Sequence, residues 1–196
     1  MNIITHFLFS WSFSEILNLE DRDKKILTIG GVLPDIDGFG IVPDLIFRTF
    51  KSYDYAFYGT YHHNLLHSIF GAFLISLFLT FFSKSKTKIF LLSFLIIHLH
   101  LFMDLIGSRG PTPDEIWAIS YLAPFSNSFQ IVWKKQWQLN DIKNIIFTIF
   151  LIFFAFYRSL KFGSSPLMVF SKKANEVFVE TVKNRFKKFY KNNNKC

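Results

Sequence analysis

Apolar residues run almost unbroken through residues 2–19, 62–82, 89–107 and 142–157, with a shorter run at 26–33. Each of the four long runs predicts a helix. The dominant one, residues 89–107, reads IFLLSFLIIHLHLFMDLIG and is long enough to cross a bilayer. Fourteen of residues 89–106 are large and apolar. On the insertion scale they contribute about −4 to −8 kcal/mol, whereas an aspartate at mid-helix costs about 2.5–3.5 kcal/mol. The segment is therefore expected to insert even with His98, His100 and Asp104 inside it. Ionisable groups in such a helix are functional candidates.

Between the runs the pattern changes. Residues 20–25 (EDRDKK) read as a charged turn, and the run at 26–33 ends in Pro34-Asp35-Ile36-Asp37-Gly38, where proline bends the chain. Residues 39–61 are mixed, a loop with a short surface helix near 44–51. The segment His62-His63-Asn64-Leu65-Leu66-His67-Ser68 opens the helix that runs to residue 82, and residues 83–88 (SKSKTK) make a basic turn. Residues 107–140 form the one long connection, with Trp117, Trp133, Trp137 and Tyr121, a set suited to a water–lipid interface. Gly163 to Pro166 breaks the helix at 142–157, with Ser165 and Pro166 placed as a new helix start. From Phe170 onward Ala174, Phe178, Val182, Phe186 and Phe189 recur at helical spacing between lysines. That pattern predicts an amphipathic basic helix on a membrane surface.

Composition supports a membrane protein: half of the 196 residues are apolar and 27 are Phe. The net charge of +8 does not point to nucleic acid, because eight of the 22 basic residues lie after residue 167. Such a tail suits an anionic lipid surface. The N-terminal run lacks a preceding Lys or Arg and a cleavage site, so it is expected to stay as the first helix. The one cysteine, Cys196, excludes an intrachain disulfide. If every apolar segment crosses, 16 Lys and Arg gather on one face and six on the other. The positive-inside rule then places the basic face, with the C-terminus, in the cytoplasm.

All six histidines fall between residues 6 and 100. His100 and Asp104 are four apart and stand about 40° apart on one helical face, whereas His98 points away. In the alternating path His6, Asp35, Asp37, His62, His63, His67, His100 and Asp104 all lie toward the less basic face. A single histidine in an apolar helix is more often a packed, hydrogen-bonded residue than a ligand. Several imidazoles and carboxylates at one end of an apolar bundle are costly unless something neutralises them, and a divalent metal does so. His and carboxylate donors suit zinc, iron or manganese. Either His62 or His63 fits beside His67, and His98 reads as a structural residue.

The motifs Thr5-His6 through Ser10, Leu33-Pro34-Asp35-Ile36-Asp37, His62-x4-His67-Ser68 and His100-x3-Asp104 resemble, in order, those of the membrane-bound metal-dependent hydrolases. This is a bacterial inner-membrane family also described as LexA-regulated or LexA-binding. Ser108-x-Gly110 and residues 121–126 resemble its continuation, so the likeness spans residues 5–126. A more distant resemblance is to the helical zinc-dependent phospholipase C group. The resemblance implies His6, Asp35, His62, His67, His100 and Asp104 as metal ligands with Asp37 close by. It departs at His62-His63, where many relatives have His-Arg, and in lacking a second His-x-x-x-Glu helix pair after residue 104. One or two ions, zinc first, are therefore expected rather than three.

The expected fold is all-α, an integral-membrane bundle of four to five apolar helices (1–162) followed by an amphipathic basic helix and tail (163–196). The expected function is metal-dependent hydrolysis in the inner membrane, with metal-activated water attacking an ester or phosphoester, lipids included. Asp37 is then the general base or the orienter of a histidine. The alternatives are a non-catalytic protein with a structural or transported metal ion, and a membrane-tethered interaction protein. The expected partners are the bilayer, a lipid or phosphoester substrate, and anionic lipid at the tail, with no nucleic acid.

Overall fold

Asn2 opens the first helix in the computed structural model of the chain, which describes residues 1–49 and 65–193. Its side-chain oxygen accepts the Thr5 amide at 2.9 Å, the N-cap of α1 (Ile3–Ile16). Helix α2 (Asp21–Gly30) starts inside the charged stretch expected to be a turn. Asp21 and Asp23 sit in its first turn, where carboxylates face the positive end of the helix dipole. A 3-10 helix (Leu33–Gly40) and α3 (Ile41–Thr49) follow. The expected short surface helix near 44–51 thus begins three residues earlier.

Helix α4 (Ile69–Thr80) starts later than the run at 62–82 predicts, because Ser68 caps it: the Ser68 hydroxyl accepts the Gly71 amide at 3.0 Å. His67 therefore lies just before the helix rather than on it. Helix α5 (Lys86–Gly107) contains the dominant apolar run. The connection at 108–141 contains, among the described residues, only isolated bridges, Arg109 to Gln138 and Ile119 to Ile131. Helix α6 (Ile142–Phe162) ends at Gly163, whose φ of 71° is the left-handed conformation that a glycine adopts without strain. A 3-10 turn (Pro166–Val169) leads into α7 (Lys172–Asn193).

The core lies between α2, α4 and α5, where Leu27, Ala72, Leu79, Ile89, Ile96 and Ile97 are buried together. Helix α1 packs on α2 and α6. Thr5 and Thr148 share a hydrogen bond at one end of that contact, and Arg158 grips Glu15 at 2.7 Å at the other. Lys24 joins the same glutamate at 3.4 Å. The bundle thus has two unlike ends. One gathers the N-termini of α1, α4 and α6 with the C-termini of α2 and α5, and the other carries Lys24, Lys88, Arg158 and Lys161.

Two helices, not four to five, have membrane-spanning length and composition among the described residues: α5 and α6. At ~1.5 Å per residue they measure about 33 and 31 Å, against a hydrocarbon core of ~30 Å. By the same measure the 14 residues of α1 and the 12 of α4 reach only about 21 and 18 Å. On α6 the outward face is strongly apolar, with Ile142, Ile146, Phe150 and Phe153 all well exposed. An exposed apolar face of this extent suits lipid. The amphipathic last helix is present as α7, but part of its apolar face is turned inward. Val179 and Val182 are buried, and the Phe178 ring lies 5.9 Å from that of Phe156 on α6.

Candidate metal centre

Four elements each deliver a polar side chain to the same end of the bundle. His6 comes from the first turns of α1, Asp35 from the 3-10 helix, His67 from the bend before α4, and His100 with Asp104 from successive turns of α5. His6, His67, His100 and Asp104 are buried, and Asp35 is partly so. One donor atom from each of His6, Asp35, His100 and Asp104 falls within 4.8 Å of all the others.

The orientation of His100 is set from outside the cluster. Its Nδ1–H donates to the Gly31 carbonyl at 2.8 Å, which leaves the Nε2 lone pair facing inward. An outer hydrogen bond of this kind is what usually fixes the tautomer of a metal-binding histidine. The contact needs the bare backbone of Gly31, because a Cβ there would overlap Ser10 Oγ and stand 2.7 Å from Ser10 Cβ. The His100 Nε2 lone pair lies 3.1 Å from Asp104 Oδ2, 3.5 Å from Asp35 Oδ1 and 3.3 Å from His67 Nε2.

Asp104 is divided between two tasks. Its Oδ1 accepts Ser108 Oγ at 2.8 Å, contacts His6 Nε2 at 3.0 Å and meets the amine of Met1. Its Oδ2 is buried without a hydrogen-bond partner, as are Asp35 Oδ2 and His6 Nδ1. Buried acceptors left without a hydrogen-bond donor are unfavourable, and a cation placed among them removes the cost. Two imidazoles and two carboxylates form a donor set that zinc accepts, and bonds of ~2.0–2.1 Å in a tetrahedron set the donors about 3.3 Å apart. The spacings from His100 Nε2 to Asp104 Oδ2 and Asp35 Oδ1 bracket that figure, and the four donors of His6, Asp35, His100 and Asp104 lie within 4.8 Å of one another, so this donor set fits a divalent ion.

His67 and Asp37 form a flank. His67 Nδ1 lies 3.3 Å from Asp37 Oδ2, and its Nε2 lies 3.7 Å from Asp35 Oδ1. Burial lowers the His67 pKa, but the Asp35 and Asp37 carboxylates outweigh it and raise the value to about 9. Burial likewise pushes Asp35 up, and the His67 and His100 imidazoles hold it below its usual range. The two carboxylates thus favour the protonated imidazole, and acting as a ligand requires its neutral form. Asp37 touches this histidine, the position of an orienting carboxylate. His62 and His63 lie outside the described residues.

His98, read from the sequence as structural, donates Nδ1–H to the Phe94 carbonyl at 2.7 Å and accepts from the Tyr121 hydroxyl at 3.0 Å. It ties α5 to the long connection and stays away from the cluster. Trp117 and Trp137 are likewise framework residues. The Trp117 backbone pairs with the Gln136 amide group at 2.8 and 2.6 Å, and the Trp137 amide donates to the Ile106 carbonyl at 2.7 Å. Trp133 is 37% exposed. Two contributors carried no role in the sequence reading, the Gly31 carbonyl and Ser108. Ser108 had a signal, since it stands four residues beyond Asp104; Gly31 had none, since its contact lies 69 residues away from it in the chain.

Among the described residues the protein is all-α, with two membrane-length helices and a buried His/Asp cluster able to hold a metal ion. It belongs to the YdjM inner membrane protein family, whose model matches residues 1–181. The match is wider than the motifs at 5–126 and takes in α6 and half of α7. The family description gives a membrane location and no reaction. No curated protein and no solved structure matches the chain significantly.

Proposed function

We propose that the protein is a multi-pass hydrolase of the inner membrane that uses a divalent metal, zinc first, against an ester or phosphoester of a lipid. The observation that supports this best is the inward-facing lone pair of His100 Nε2 beside the unpartnered Asp104 Oδ2, with Asp35 and His6 alongside. His6, Asp35, His100 and Asp104 would hold the ion, with His67 and a histidine of the pair His62 and His63 completing a site for one or two ions. A divalent ion there supplies Lewis acidity and lowers the pKa of water toward ~7. Asp37 orients His67 and stands as the carboxylate able to accept a proton. Residues 1–162 form the membrane-embedded site domain in this reading, and 163–196 a basic helix and tail at the cytoplasmic face, held there by the positive-inside bias.

The direct test is hydrolysis of phospholipid and phosphoester substrates by the full chain in lipid nanodiscs. We expect turnover that a chelator abolishes and zinc restores, and that Asp104→Asn reduces at least a hundredfold with insertion unchanged. Metal-loaded protein with no turnover on any of these substrates would overturn the reading.

One observation favours a second reading. His6, His67, His100 and Asp104 are each at most 3% exposed, and a closed site suits a structural or transported ion better than an open catalytic one. That reading predicts that removing the metal lowers the Tm without abolishing any activity.

A further inference from the structure

A groove of about 600 Å³ runs between α1, α5 and α6, outside the His/Asp cluster. Phe102, Met103 and Ile106 of α5 and Ile146 and Phe150 of α6 form most of its walls. These walls are open: Phe102, Ile146 and Phe150 are 57, 59 and 63% exposed. They belong to the two membrane-length helices, so the medium that meets them is hydrocarbon. Lys143 is the one charged side chain lining the groove among the described residues, and it lies in the first turn of α6. Its ammonium lies 5.3 Å from the centroid of the Trp137 ring. The nearby Asp141 carboxylate is occupied in capping α6 through the Lys143 amide at 2.9 Å. No ion pair engages the Lys143 ammonium among the described residues. Met1 connects the groove to the cluster, since it lines the groove and its amine meets Asp104 Oδ1.

We infer that this groove holds one acyl chain of an anionic phospholipid, with the headgroup phosphate at Lys143. A lysine and a tryptophan at the start of a spanning helix mark the headgroup level. The volume falls within the usual range of small-molecule sites, about 300–1,000 Å³. The unpaired cation selects an anionic headgroup over a zwitterionic one. Resting on the function proposed above, the phosphoester of that lipid, brought beside Asp104, defines the substrate class.

Native mass spectrometry of the full chain released from detergent tests this without turnover. With phosphatidylglycerol and phosphatidylcholine offered together, one phosphatidylglycerol is expected to stay bound per chain in clear excess over phosphatidylcholine. Lys143→Glu should erase that preference, a loss of about fivefold or more for one basic residue near anionic lipid. Ile146→Trp, which fills the groove, should lower retention of both lipids, and Phe150→Trp serves if that variant fails to fold. Inorganic phosphate should displace neither. Equal lipid retention by the wild type and all three variants would overturn the inference. A dimer disrupted by Ile146→Trp and indifferent to lipid would also overturn it, by assigning the groove to a second copy. None of these substitutions touches the cluster, so bound metal should be unchanged. Loss of lipid binding therefore tests the groove, and loss of metal tests the hydrolase reading.

Discussion

At the residue scale the centre depends on atoms that are not themselves donors to an ion. Gly31 matters because its carbonyl turns His100 and because α1 passes too close for any side chain there. Gly31→Ala should force α1 away from α2, costing about 1–3 kcal/mol as an overpacked contact. It should also weaken metal binding by about 10–100-fold, the usual cost of losing an outer partner of a ligating histidine. Equilibrium dialysis against zinc, with thermal unfolding in the same detergent, measures both. His98→Gln gives the contrast. It loses the link to Tyr121 and about 1 kcal/mol for a hydrogen bond, and its metal content should equal that of the wild type.

At the scale of elements, the position of His67 is set by where α4 begins. Ser68→Ala removes the cap on Gly71 and should cost about 0.5–2 kcal/mol, read as a fall in Tm. Because His67 is the preceding residue, metal affinity should fall with it. This boundary shows how much was legible in the sequence. The apolar run at 62–82 located the helix, but periodicity does not mark a cap, and Ser68 was not distinguishable from the first residues of the run. The charged stretch at 20–25 was misread for a related reason. Its two aspartates serve a helix N-terminus as well as they serve a turn, and only the packing of Ile26 and Leu27 into the core decides between them. The pair His100 and Asp104 was legible because a spacing of four on a helix is local geometry. The Gly31 contact was not, because tertiary packing alone creates it.

At the scale of the molecule, the His/Asp cluster lies at one end of an apolar bundle, and Lys24, Lys88 and Arg158 lie at the other. Among the described residues only α5 and α6 have spanning length and composition; α4 is apolar but short, and α1 is short and carries His6, Ser10 and Glu15. The family match gives the membrane location, and the cluster gives the chemistry to be tested. The central claim is that His6, Asp35, His100 and Asp104 hold a divalent ion. It is tested most directly by elemental analysis of the full chain purified in detergent without chelators. One or two zinc ions per chain are expected in the wild type, and less than a tenth of that in His100→Ala and Asp104→Asn, both still inserted in the membrane. A wild-type protein that is folded and carries no stoichiometric metal would contradict it.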